Sequence, residues 1–315
     1  MNLNLKNDIA INKSLWKKIK TELYVNKYLY LLAIPVIAYY MIFCYIPMFG
    51  LVIAFKDYQM SKGILGSSWV GFKYFKEFFS GIYFGRTLKN TLLISLYDLV
   101  FGFPAPIIFA LLLNQLKNKY FKKFVQTTTY LPHFISTVVI CGMIVDFFSN
   151  DGLISQVLQM FGMPDINYLG SKKYFRSVYV ITNIWQNIGW NSIIYLSALA
   201  MVNMELYEAA DIDGASWFQK IIHVTLPGIM DTIIIMLILR IGQLLNVGYE
   251  KIILLYSPAT YSVADIISSY VYRMGIGGAR YSYSAAVSIF QSVVNIVLLY
   301  IANTISKKYN ETALF

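Results

Sequence analysis

Cysteine and histidine are nearly missing from this 315-residue chain, which has two of each. Cys44 and Cys141 fall inside apolar stretches, and His133 and His223 stand alone. Neither a disulfide framework nor a metal site follows from them. Charge is thin as well: 13% of the residues are charged and only 16 are acidic, so no acid/base cluster appears at helical spacing in the apolar stretches. There is no G-x-x-x-x-G-K phosphate loop, no G-x-S-x-G elbow and no H-E-x-x-H pair. If ATP is used, another chain must bind it. Internal repeats and linkers rich in Pro, Gly and Ser are also absent, so nothing divides the chain into separate soluble domains.

What the chain has in abundance is apolar surface. Hydrophobic residues make up 57% and aromatic ones 17%, and the mean hydropathy is +0.56. That composition belongs in a bilayer. A membrane-crossing helix needs about 20 mostly apolar residues, and six stretches qualify, at about 28–55, 88–116, 122–149, 177–203, 226–249 and 284–306. The expected architecture is all-α, an integral membrane protein with six transmembrane helices. The first apolar run is too long for a signal-peptide core and lacks an Ala-x-Ala site, so it reads as an uncleaved anchor.

The net charge of +10 sits mostly beside the spans and forms no basic surface with interleaved aromatics, which argues against nucleic acid. Residues 1–27 carry Lys6, Lys13, Lys17, Lys18, Lys20 and Lys27, and "KNKYFKKF" packs four lysines into the short second-to-third connection. By the positive-inside rule both are cytoplasmic. Six spans return the tail 307–315, with Lys307 and Lys308, to the same side, together with the fourth-to-fifth connection. The loops at about 56–87, 150–176 and 250–283 then face outward. Leu15, Trp16 and Ile19 suit either a short amphipathic helix on the headgroups or a plain topology-setting tail. Phe72, Tyr74, Phe75, Phe78 and Phe79 suit an interfacial helix at the outer surface. The tyrosine-rich loop at 250–283 is the better candidate to dock a soluble partner.

Acid collects where the rule would favour base. In "EAADIDGASWFQKIIHVTLPGI" the helix from "NMELYEAADI" carries Glu205 and Glu208 on one face, with Ala209 and Ala210 leaving room for a partner. Gly214 can take the left-handed conformation that ends this helix. Ser216 and Gln219 have capping-box spacing for a second helix, which Pro227 stops. The result is a short, rigid hairpin across the cytoplasmic face.

Polar residues at membrane depth usually face a bundle interior or a cavity. Asn183, Asn187, Asn191 and Tyr195 recur every four residues on the fourth span. Arg240, Gln243, Asn246 and Glu250 share a broad face of the fifth, and Ser288, Gln291 and Asn295 mark the sixth. These stripes fit a pathway for a hydroxylated, largely uncharged solute, with Trp185, Trp190 and Tyr249 as aromatic surfaces. They fit equally well the interhelical hydrogen bonds that hold a bundle or a partner subunit together. Arg240 could pair with Asp231 or Glu250. Asp98 reads either as an acid beside a polar cavity or a neighbouring subunit, or as a proton-coupling site; His133, after Pro132, reads as a kink or packing residue.

The hairpin resembles the EAA loop of ABC importer permeases: Glu-Ala-Ala, three residues, Gly, nine residues, an aliphatic residue, any residue, then Leu-Pro. It falls on Glu208, Ala209, Ala210, Gly214, Val224, Leu226 and Pro227, with Val224 where isoleucine is usual. "YIPMFGLVIAFKDYQMSKGILGSSWVGFKYFKEFF", "TTTYLPHFISTVVI" and "WQNIGWNSIIYLSALAMVNMELYEAADIDGAS" are similar to maltose-type permeases of the oligosaccharide and polysaccharide uptake branch in Gram-positive bacteria. The resemblance implies a type I ABC importer permease (MetI-like) fold, with the anchor and outer loop at 28–87, a permease core at 88–306 and a coupling loop at 204–227. It implies a second homologous permease, two cytoplasmic ATP-binding subunits, an extracellular solute-binding lipoprotein and a sugar cargo in a bacterial plasma membrane. ATP and Mg are used by the partner subunits, and this chain binds no cofactor. Glu208, Ala209, Ala210, Asp213 and Gly214 become the ATPase-coupling residues. Trp185, Asn187, Asn191, Gln243, Asn246, Tyr249 and Gln291 become the candidate substrate pathway.

A non-sugar importer shares the same loop, so the hairpin does not identify the cargo. A gradient-driven secondary transporter would ordinarily show repeats and paired buried ionisable residues. On the importer reading, Glu208→Lys and Gly214→Pro leave the protein inserted in the membrane but uncouple ATP hydrolysis from transport. Unchanged substrate-stimulated hydrolysis and uptake in both variants would remove that role for the hairpin.

Overall fold

The computed structural model describes residues 20–310, 313 and 314. The proposed headgroup helix around Leu15, Trp16 and Ile19 lies outside these residues. Three helices are individually long and apolar enough to cross a bilayer: α1 (Lys27–Phe55), the run Phe84–Asn114, and the last helix, whose apolar stretch is Tyr281–Lys308. Among the described residues no strand exceeds two residues, the only ladder being β1 (Lys56–Asp57) against β2 (Ser68–Trp69). From Lys27 through Met48, α1 buries nothing against its own chain. Only its tight last turns reach the final helix, through the buried Ala54.

Between these spans the helices come in bent pairs. After α2 (Lys73–Ser80) and α3 (Phe84–Asn114) comes α4 (Lys119–Phe134), which turns by 102° into α5 (Thr137–Phe147). The expected straight span at 122–149 is therefore two helices. The break has a local cause: Ile135 is extended, and Ser136 caps α5 by accepting from Val139 N at 3.4 Å. After α6 (Leu153–Met160), α7 (Phe175–Leu199) turns by 74° into α8 (Met204–Ile212), and α9 (Trp217–Gly228) turns by 63° into α10 (Met230–Ile241).

The expected fifth span, 226–249, stops short because the chain leaves helical geometry after Ile241. Its freed carbonyls are taken by neighbouring side chains: Leu244 O accepts from Ser95 Oγ, and Leu245 O from Gln291 Nε2 at 2.7 Å. Irregular backbone at this depth is tolerated where protein or a cavity satisfies it.

α4 crosses α7 in backbone contact. A Cβ added to Gly189 would lie 2.3 Å from Thr129 O and 2.9 Å from the Tyr130 ring. Helices in lipid associate by such close packing, since lipid tails are as apolar as leucine.

The segment at 250–283 also departs from expectation. It folds inward as α11 (Tyr249–Leu255), a turn at Tyr261–Ala264 and α12 (Ile267–Tyr272), with Ile252, Thr260, Ala264, Asp265, Ile266 and Ile267 buried. The reason is Asp265, fully buried and held by Arg273 at 2.7 and 3.1 Å, by Arg86 at 3.1 Å and by Ser269 Oγ at 2.9 Å. Its backbone carbonyl accepts from Asn90 Nδ2, whose Oδ1 in turn accepts from Arg176. The Asp265 hydrogen bonds hold the Arg273 guanidinium further above its already high range. Leu254, Tyr272 and Ile276 stay exposed on this segment. The aromatic helix does form, as α2, but it buries Tyr74 and Phe78 against α13 (Tyr281–Asn310). Of the five aromatics only Phe72 and Phe79 stay largely exposed.

Gly189→Val should abolish recovery of folded protein, and Gly189→Ala should lower its thermal midpoint in detergent, because the Thr129 carbonyl cannot retreat without moving α4. Asp265→Ala leaves two arginines without their shared acceptor and should destabilise the folded chain by about 3 kcal/mol. Thermal unfolding of both variants in the same detergent checks the pair.

Candidate functional site: a polar cavity above an acidic hairpin

A cavity of about 960 Å³ opens between α3, α7, α10 and the break between α4 and α5. Asn183, Asn187, Asn191 and Tyr195 face it from α7, as their spacing requires. Its polar lining is chained together. Asp98, in a widened turn of α3, is ion-paired with Arg240 of α10 and accepts from Asn183 Nδ2 at 2.8 Å. Asn187 Nδ2 donates to Asn183 O at 3.0 Å, and Asn187 Oδ1 meets His133 Nδ1 at 3.0 Å. The His133 ring then stacks on Trp190, 4.7 Å between centroids and 4° from parallel.

Arg240 thus pairs with neither Asp231 nor Glu250, as the sequence had suggested. Asp98 stands nearer in space, across a helix interface that no sequence spacing reveals. Asp98 is held by a guanidinium and an amide. His133 packs at the helix end and takes a hydrogen bond besides.

Of the pathway candidates, Asn187, Asn191, Gln243, Asn246 and Tyr249 line the cavity. Trp185 and Gln291 do not. Gln291 is buried and donates to Leu245 O, to Asn246 Oδ1 at 2.9 Å and to Ser268 Oγ at 3.0 Å. Asn295 donates to the same Asn246 oxygen at 3.1 Å and accepts from Leu245 N. These two amides brace the non-helical stretch against α13.

Lys251 was missed, because beside Glu250 it reads as a loop residue. It lines the cavity with 5% of its surface exposed, donates to Gln186 Oε1 at 3.3 Å and lies 5.8 Å from the Tyr179 ring. Burial pushes its ammonium down to about 8, with the Cys141 thiol opposing slightly. The clamp around Asp265 was missed as well; single Arg and Asp residues scattered between Arg86 and Arg273 carry no pattern.

At the other end of α7 the hairpin stands clear of the bundle. Its first helix, α8, starts at Asn203, whose side chain accepts from Glu205 N. Gly214 has φ +73° in the turn, and Ser216 with Gln219 makes both capping-box bonds. Lys220 pairs with Asp211 between the two helices, and Tyr207 Oη donates to Thr225 Oγ1 at 3.0 Å. Glu208, Ala209, Asp213 and Gly214 are exposed, and Ala210 is half-buried. Around them Leu206, Ile212, Trp217 and Phe218 also face out, so the tip is at once acidic and apolar.

Residues 78–311 match the family described as binding-protein-dependent transport system inner membrane component. The protein LplB of Bacillus subtilis is 47% identical over 291 residues, 92% of each chain. The polygalacturonan/rhamnogalacturonan transport system permease protein YteP, from the same organism, is 42% identical and covers 98% of this chain and 96% of its own. A crystal structure of a bacterial ABC transporter involved in the import of the acidic polysaccharide alginate contains a chain 42% identical, with a TM-score of 0.85 over 94% of this chain and 99% of that one. A second structure shows a bacterial alginate ABC transporter in complex with an alginate pentasaccharide-bound periplasmic protein; it matches with the same TM-score over 95% of this chain. The helical architecture is therefore that of the MetI-like transporters, and the chain belongs to the binding-protein-dependent transport system inner membrane components.

Proposed function

We propose that this chain is a permease subunit of a binding-protein-dependent ABC importer, forming half of the pathway for an oligosaccharide. The observation that carries the reading is mechanical as well as chemical. The acidic hairpin is the direct continuation of α7 and α10, two walls of the amide-lined cavity. Whatever grips the hairpin moves the cavity. Relatives named for polygalacturonan/rhamnogalacturonan and arabinooligosaccharide transport support the cargo class.

In this reading α4 with α5 makes one crossing, and α7 and α10 cross while α8 and α9 turn off them as the hairpin, giving six spans with the hairpin and both termini in the cytoplasm. The membrane is that of a Gram-positive bacterium. A second permease completes the pathway, two ATP-binding subunits take the hairpins, and an extracellular solute-binding lipoprotein delivers cargo at the Asp265 end. Glu208 pairs with a basic residue in the ATPase groove, Ala209 and Ala210 pack on its wall, Gly214 makes the turn and Asp213 adds charge at the tip. ATP and Mg stay with the partners. Closure of the ATPases tilts α7 and α10 and changes the side from which the cavity is open. Asn187, Asn191, Gln243, Asn246 and Tyr249 offer hydrogen bonds to passing hydroxyls.

Affinity purification from native membranes should bring down a second permease, an ATPase and a lipoprotein, and ATP hydrolysis by the complex should rise when loaded binding protein is added. In that complex Asn187→Leu, which also removes the His133 contact, should lower oligosaccharide uptake about tenfold with unchanged subunit recovery. A chain that purifies alone and moves solute on an ion gradient would replace this reading.

A further inference from the structure

Four charged side chains line the cavity: Asp98, Arg240, Glu250 and Lys251. The first two neutralise one another in their ion pair. Glu250 is exposed, where solvent screens it. Lys251 alone is buried without a carboxylate, since none of the ion pairs among the described residues includes it.

An ammonium has three N–H donors. Lys251 uses one, on the Gln186 amide oxygen, and the Tyr179 ring face lies nearby; neither carries a formal charge. Among the described residues the carboxylates that line the cavity are Asp98, which Arg240 holds, and the exposed Glu250. A buried cation is expensive unless something of opposite charge meets it. No described carboxylate pairs with it. Space for a counter-charge exists, because Lys251 faces the same cavity as Gln186, Asn187, Gln243 and Asn246.

We infer that Lys251 is the docking point for a sugar carboxylate, so that the cargo of this importer is an acidic, uronate-bearing oligosaccharide. The inference rests on the importer reading above and adds the residue that selects charge. A carboxylate accepting from the ammonium replaces the missing anion, while the amides around it serve the hydroxyls of the same unit. Neutral sugars leave Lys251 uncompensated throughout their passage.

The test uses the complete importer in proteoliposomes, with the binding protein–sugar complex saturating so that capture does not limit uptake. Trigalacturonate is compared with its methyl ester and with the neutral arabinotriose and galactotriose. Wild type should move trigalacturonate about tenfold or more faster than the ester, a comparison that needs no variant to fold. Lys251→Gln should lose that advantage, and Lys251→Arg should keep most of it. Equal uptake of acid and ester by wild type, uptake of neutral sugars alone, or undiminished trigalacturonate uptake by an assembled Lys251→Gln complex would overturn the inference and leave the importer standing. Failure of wild type to move any of these sugars would instead remove the oligosaccharide reading on which it rests.

Discussion

A carboxylate among apolar helices cannot be left alone, and the arrangement of this protein's middle follows from how Asp98 is satisfied. Its two oxygens draw Arg240 from α10 and Asn183 from α7 to α3. Asn183 orients Asn187, and Asn187 fixes the ring of His133 at the end of α4. One buried charge thereby ties together four helices that lipid alone would have no reason to gather. Since each partner is polar, the space they enclose is polar too. The cavity is where the side chains that hold the bundle together still have hydrogen-bonding capacity to spare.

A second buried acid does the corresponding work about 10 Å away along α7, where Arg176 lies seven residues before Asn183. Asp265 pins a segment between two spans onto α3 through Arg86, Asn90 and Arg273, and Arg176 at the start of α7 joins through Asn90. The two ends of α7 thus differ in kind. One is clamped by a buried network of ion pairs and hydrogen bonds; the other ends in a hairpin that touches its own bundle only at the base.

The sequence was most legible where spacing alone carries the signal. The capping box at Ser216 and Gln219, the positive φ of Gly214 and the four-residue stripe on α7 all appear in the structure as the residues suggested. These features are local, set by a single helix or turn. What could not be read depended on pairs far apart in the chain. Arg240 and Asp98 are separated by 142 positions, so the eye goes to Asp231 and Glu250 instead. The 102° break after Phe134 was legible only as a kink or packing residue at His133 after Pro132; its size is set by the extended Ile135 and the Ser136 cap, which spacing does not reveal. The segment at 250–283 reads as a surface loop because its charges look solvated, whereas the structure buries Asp265 against its own arginines.

The base of the hairpin has one more implication. Val202 presses on Gly228 so closely that an added Cβ there would fall 2.9 Å from its methyl carbon, and Tyr207 bonds to Thr225 just beyond. The two arms are therefore welded where they leave the bundle and cannot scissor. A load on the tip reaches both as a single torque, with the leverage set by the length of α8 and α9 and not by slack between them.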